Sequence, residues 1–491
     1  MSKSLINNAL FNTAYKALSV IFPLVTVSYA SRVLGADGIG NVSSVQNIVT
    51  YFTMFASLGI PTYGVRIIAK LREDENYSCD ENFTELFLIN FLSTLLCALS
   101  YFILISTFTK FNELRELYIV FGSLIILNIF NIEWIYQGFE EYKYIALRSF
   151  GIKFISLLLL VLTVKTKEDI IIYSFIVCFG TAGNYILNVI NLKKYVNFTF
   201  KNLKFKRHFK PIFILFCSVI AIELYALVDV TMLTQMTNAE CVGYYSNSAK
   251  MIKILANTFT AFGAVLLPRL SLCYAQGQYD EIKNIINKFI NYIMIIAIPS
   301  CVGCILIADK IVLVLFGEDF IQATLTIQLL APLIVLKPLS GGIFGQMLLT
   351  SAKDKTYLKC VCAGAIGNVI LNSVLIVLWK QNGAAIASVI TECIVSTMMI
   401  FSCKKLARGA VDYKFLFSVI LSASEMAIVL YLAKGITNGM SSISTMILQV
   451  VIGALSYAIG LILTKNKMGL YVIRKVKERL KEYKDGRLSI S

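Results

Sequence analysis

Charged residues recur inside the long apolar runs of this 491-residue chain, and they are the groups able to do chemistry. Lys250 and Lys253 are three apart, so they share one helical face, about a third of the way into an apolar run. Lys16, Lys153 and Lys337 also lie within runs, and Arg32, Arg66 and Arg269 lie at or near run edges. The acidic set is Glu133, Glu223, Asp229, Glu392 and Glu425. A charge at mid-bilayer costs about 2.5–3.5 kcal/mol on an insertion scale, so such residues pair, face water or work. The plainer readings are that Arg32, Arg66 and Arg269 snorkel to the interface, that Asp229 pairs with Lys250 or Lys253, and that Glu133 is interfacial beside Trp134 and Tyr136. The functional reading is a wet cavity lined by Lys16, Arg32, Arg66, Lys250, Lys253 and Arg269, with Asp229 or Glu133 as an ion-coupling carboxylate. More bases than acids suits an anionic passenger, whereas a vestibule for cationic drugs would invert the balance.

The elements that must position these residues are membrane helices. The chain is 57% hydrophobic and 15% charged, and apolar runs of about 18 residues or more recur throughout. Spans are expected near 8–30, 41–66, 83–107, 116–139, 144–164, 169–192, 211–235, 243–267, 289–309, 320–350, 357–379, 383–403, 415–433 and 444–464. With both termini cytoplasmic, 31 of the 45 Lys and Arg fall in or at the edge of inside segments and 8 in outside ones. That bias follows the positive-inside rule, so the formal charge of +16 reports topology beside anionic lipid and not nucleic acid. Twelve scattered Cys, with "CVGC" at Cys301 to Cys304 inside an apolar run, read as packing residues. One histidine, His208, cannot build a His-based metal site or relay. No phosphate-loop, HExxH or GxSxG pattern occurs and the outside loops are short, so neither an enzyme nor a cofactor is expected.

The chain also repeats. "LGADGIGNVSS" (Leu34 to Ser44) returns as "TNAECVGYYSN" (Thr237 to Asn247). Ala36, Asp37, Ile39, Gly40 and Ser43 align without a gap on Ala239, Glu240, Val242, Gly243 and Ser246, and the same register carries Arg66 onto Arg269. The expectation is an all-α membrane protein with about 14 transmembrane helices. Two pseudo-symmetric six-helix lobes, 1–195 and 207–406, would flank a central cavity, followed by two helices at 415–464 and a basic cytoplasmic tail at 465–491. Each turn motif is expected to be an outer hairpin, and the two, with Gly38, Gly40, Cys241 and Gly243, to meet as an outer gate.

These residues carry a resemblance. The opening from Asn7 to Asp74, with "SR-x-LG" at Ser31 to Gly35 and "YG-x-R" at Tyr63 to Arg66, resembles bacterial polysaccharide flippases of the Wzx type. That family sits in a superfamily with drug/cation exporters and lipid II flippases. "EWIYQGFEEYKYIALR", "LYALVDVTML" and "LLTSAKDKTYLK" extend the resemblance over nearly the whole chain. It implies a flippase in the bacterial cytoplasmic membrane, passing an oligosaccharide on undecaprenyl diphosphate to the outer leaflet for O-antigen, capsule or exopolysaccharide. Membrane lipid, a polysaccharide polymerase and a chain-length regulator are the implied partners. A multidrug/cation antiporter on the same scaffold and a lipid II flippase remain alternatives.

Overall fold

The structure, a computed structural model, describes residues 3–71, 79–201, 203–351, 353–404, 412–436, 439–466 and 469. The side chains of 3–21 and 261–268 are outside the description, which excludes Lys16, and so is most of the basic tail. Helices dominate: α1 (Lys3–Ser57), α2 (Ile60–Leu71), α3 (Cys79–Thr107), α4 (Arg115–Leu127), α5 (Glu133–Gly138), α6 (Tyr142–Thr163), α7 (Ile170–Asn191), α8 (Lys206–Met236) and α9 (Ala239–Ala275). They continue as α10 (Tyr279–Leu306), α11 (Ala308–Leu315), α12 (Ala323–Leu330), α13 (Leu333–Lys337), a π-helix (Pro338–Phe344), α14 (Gly345–Thr350), α15 (Asp354–Ser402), α16 (Tyr413–Ile436) and α17 (Ser442–Leu463). The expected spans fall mostly on helix, with breaks that include 58–59, 128–132 and 331–332, and among the described residues nine helices are long and apolar enough to cross a membrane.

Two of these carry two spans each. Gly35 (φ 71°) breaks α1, and Trp379 with Lys380 (φ 48°) breaks α15. Within Leu34 to Ser44, where a hairpin turn is expected, two helices meet at Gly35, whose positive φ glycine adopts without a Cβ penalty. The second motif is equally compact. Thr237 is extended, Asn238 Oδ1 accepts the Cys241 N–H at 3.2 Å, and α9 starts at Ala239.

Lipid explains the sidedness of the helices. On α3, Leu92, Leu96, Leu99 and Ile103 form an exposed stripe, while Asn90, Thr94, Ala98 and Tyr101 are buried. The polar groups are inside because hydrocarbon offers them no partner. Buried Asn90 donates to the Asn128 carbonyl (3.1 Å) and Tyr101 OH to the Tyr118 carbonyl (2.7 Å).

The chain divides into two compact units, Met1–Asn247 with Asn372–Gln381, and Ser248–Leu371 with Asn382–Ser491. In the first, Ile60, Ile68, Phe83, Leu86, Trp134 and Ile135 form a core where α2, α3 and α5 meet. α2 and α5 cross closely because Gly64 lies on the Trp134 ring and Gly138 on Ile68. In the second, Phe415, Val419, Met426 and Tyr457 pack α16 and α17 onto α10, with Tyr457 OH donating to the Ile295 carbonyl at 2.8 Å. Gly453 and Gly460 bring α17 onto α16, the small-residue packing that lipid favours.

A Cβ at Gly64 would overlap the Trp134 ring. Gly64→Val should therefore lower the thermal midpoint in detergent, at a cost of about 1–3 kcal/mol or more, while Val65→Ala, on a half-buried neighbour, should cost less. A Gly64→Val protein as stable as wild type would show that the crossing is looser than described.

Candidate functional site

The two turn motifs touch. A Cβ on Gly40 would strike the Ala239 carbonyl, and one on Gly243 would strike the Ala36 carbonyl. Only glycine permits this approach of backbone to backbone. The two contacts are copies of each other, because the 203-residue offset that aligns Gly40 with Gly243 also aligns Ala36 with Ala239. Hydrogen bonds repeat the relation. Asn247 Nδ2 donates to Ser31 Oγ at 2.7 Å, and its aligned counterpart is Ser44 with Thr234, Oγ to Oγ1, at 2.9 Å. The arrangement is isologous: each motif offers the other the same surface. Gly38 and Cys241 occupy the middle of this seam in sequence; a Cβ at Gly38 would face Leu34 and Ile170, and Cys241 is buried.

One turn further along α8 the symmetry ends. Thr231 bonds Asn47 (2.7 Å) and Tyr51 (2.9 Å). Buried Asp229 accepts from Tyr245 OH and, at 2.7 Å, from Asn372 Nδ2. Both of these donors are neutral, whereas the plainer sequence reading paired Asp229 with Lys250 or Lys253.

The candidate basic residues are dispersed. Arg32, Arg66, Lys250 and Lys253 are exposed. Arg269 is also exposed and forms an ion pair with Glu281 at 2.7 Å. Lys153 is half-buried. Glu133, which sequence placed at an interface, pairs with Arg148 and accepts from Gln137 Nε2 at 3.0 Å. Arg148 is the residue that sequence reading missed. Its side chain is 2% exposed, with Nε on Asn184 Oδ1 at 3.1 Å and its guanidinium carbon 5.5 Å from the Tyr144 ring centre. In the second unit, buried Glu392 accepts from Ser340 of the π-helix. Among the described residues no group of three or more His, Cys, Asp or Glu could hold a metal ion.

The motif residues now have individual roles. In "SR-x-LG", Ser31 receives Asn247, Leu34 is buried and Gly35 makes the break. In "YG-x-R", Tyr63 OH bonds His208 Nδ1 (3.0 Å), Gly64 admits Trp134, and Arg66 is exposed. In "EWIYQG", Glu133 holds Arg148, Trp134 seats Gly64 and Tyr136 OH donates to the Asn188 carbonyl at 2.5 Å.

Long apolar helices with polar interiors, repeated about an isologous contact, define an all-α membrane protein. The family described as "Polysaccharide biosynthesis protein" matches residues 5–273, more than half the chain, and the chain belongs to it as a member of the Wzx-type polysaccharide flippases. The family described as "Lipid II flippase MurJ" also matches, over residues 150–456. A relative from Escherichia coli (strain K12) carrying the name "Putative O-antigen transporter" is 24% identical over 407 residues, covering 81% of this chain and 96% of its own. The structure is similar to that of a lipid II flippase MurJ in an inward closed conformation, with TM-score 0.76 and 16% identity over 94% of this chain and 100% of that one. It is also similar to an inward-facing multidrug resistance MATE family transporter, with TM-score 0.64 and 12% identity over 82% and 98% of the two chains. At these identities the two structures speak for the fold alone.

The Glu133–Arg148 pair can be tested as a unit. Glu133→Gln strands a buried guanidinium and should destabilise by about 3–5 kcal/mol, as should Arg148→Met for the carboxylate. The double variant should recover much of that loss in a detergent unfolding assay; strict additivity would mean the two act independently.

Proposed function

We propose that this chain is a flippase that passes oligosaccharide units carried on undecaprenyl diphosphate from the inner to the outer leaflet of the bacterial cytoplasmic membrane, both of its termini being cytoplasmic. The units feed assembly of a surface polysaccharide. Membership of the polysaccharide flippase family supports the passenger class. The observation that carries the transport mechanism is the isologous seam, Gly40 on Ala239 and Gly243 on Ala36, a contact suited to closing one side of a pathway and parting as two equal halves.

The physics of the passenger sets the task. A sugar hydroxyl taken unpaired into hydrocarbon costs several kcal/mol, and a diphosphate far more. The lipid tail has the opposite preference, at about 0.8 kcal/mol per buried CH₂. The protein therefore shelters only the head group in a wet basic cavity and leaves the tail in lipid. Arg32, Arg66, Lys250 and Lys253, all exposed, are the residues proposed to meet the diphosphate, Arg being the better fit to paired phosphate oxygens. Asp229 is the proposed coupling carboxylate. Glu133 is the weaker candidate, because Arg148 already neutralises it. Lys16 and Arg269 complete the proposed route. The seam, with Gly38, Gly40, Cys241 and Gly243, is the proposed outer gate, and a polymerase and a chain-length regulator are the proposed downstream partners.

Cells whose own copy is replaced by Arg66→Ala or Lys253→Ala should lose surface glycan while keeping the protein in the membrane; undiminished glycan removes that residue from the route. Asp229→Asn should abolish dependence of export on an ion gradient, and export that never needed one leaves the carboxylate a structural role. Ser44→Cys with Thr234→Cys replaces the 2.9 Å hydroxyl pair. Its disulfide should stop export until reductant is added, and export that continues with the disulfide formed rejects the gate.

A further inference from the structure

At its root, α8 is held by a different kind of contact. The segment leading into it runs along the first turns of α3. Asn197 N–H donates to Asp80 Oδ1 at 2.9 Å, Thr199 N–H to Thr84 Oγ1 at 3.0 Å, and Lys204 N–H to Glu85. The Phe198 ring packs against Phe83 and Phe87, with centroids at 5.0 and 5.1 Å. Glu85 Oε2 then takes Arg207 through Nε (3.0 Å) and Nη2 (2.8 Å) and His208 through Nε2 (2.5 Å). Glu85 and His208 are both fully buried.

In the neutral ring, Nε2–H donates to Glu85 and Nδ1 accepts from Tyr63 O–H. Burial pushes the His208 pKa below its ordinary value, assisted by the Arg207 charge and opposed by Glu85. With a neutral ring, the charged pair at the centre of the cluster is Glu85 with Arg207. The charged or titratable groups that converge are Tyr63 from α2, Asp80 and Glu85 from α3, Lys204 from the linker, and Arg207 and His208 from α8. Opening it would leave a buried carboxylate without its donors, a heavier loss than parting two hydroxyls.

We propose that Tyr63, Glu85, Arg207 and His208 are positioning residues forming a permanent clamp, which keeps the root of α8 fixed to α2 and α3 throughout the transport cycle. Motion of α8, the helix that carries Asp229 and Thr234, then takes place beyond residue 210. The single histidine is retained as a neutral, two-ended connector and not as a proton carrier. This inference rests on the transport reading of the chain.

The 3.0 Å approach of the Thr199 amide to Thr84 Oγ1 places the two residues within reach of a disulfide. Thr84→Cys with Thr199→Cys, in a Cys79→Ser background, should form that disulfide in membranes and export glycan as well oxidised as reduced. A disulfide that blocks export until it is reduced, or one that never forms, overturns the clamp. A second measurement does not depend on these substitutions. In protein carrying Ser44→Cys and Thr234→Cys, the amides of Asn197, Thr199 and Lys204 should exchange with deuterium about tenfold or more slowly than exposed linker amides, whether that seam is oxidised or reduced. Loss of protection in either state overturns the clamp. If the wild-type chain supports no glycan export at all, the transport reading falls, and the exchange experiment still decides whether the root of α8 is fixed.

Discussion

Hydrocarbon offers a polar group no partner, and every other feature of this chain follows from that constraint. Backbone donors and acceptors are satisfied within helices. Side-chain hydroxyls bond back to the preceding turn, as Thr26, Ser57 and Thr181 do. Polar residues that cannot do so face inward and find one another, and leucine and isoleucine take the outside. The interior is thereby a set of local polar unions, and these unions determine which helices can separate and which cannot.

Three unions differ in kind. Glu133 with Arg148 joins α5 to α6 through a pair of opposite charges. Glu85 with Arg207 and His208 joins α3 to α8 through a charge and a neutral imidazole. The seam between the turn motifs is joined by glycine contacts and by neutral hydroxyl and amide hydrogen bonds. Neutral groups find water of nearly equal worth when they part, whereas a buried ion does not. The same helix, α8, thus makes a charged contact near one end and neutral contacts towards the other.

Much of the fold was legible in the sequence because hydrophobic run length reports directly on the solvent. The repeat was legible as well, from the register shared by Ala36, Gly40, Ala239 and Gly243. The pairings were not. Glu85 and His208 are separated by 123 positions, and nothing local in "DENFTELF" or "FKRHFK" announces that they meet. Arg148 was hidden for a related reason: a base at the edge of an apolar run has the same sequence signal whether it faces headgroups or a buried glutamate. In the turn motif a single glycine makes the bend, and sequence gives no sign that the other short side chains serve close backbone approach. The candidate basic residues were found by type, yet sequence offers no means of telling which ones converge.

The seam's composition has a consequence for how the molecule would respond to its surroundings. Ser31, Asn247, Ser44 and Thr234 carry no charge, and the glycine contacts beside them are steric. Dissolved electrolyte screens interactions between charges and leaves such contacts untouched. These direct contacts therefore depend little on ionic strength, unlike the exposed Arg269–Glu281 pair, whose attraction dissolved electrolyte weakens.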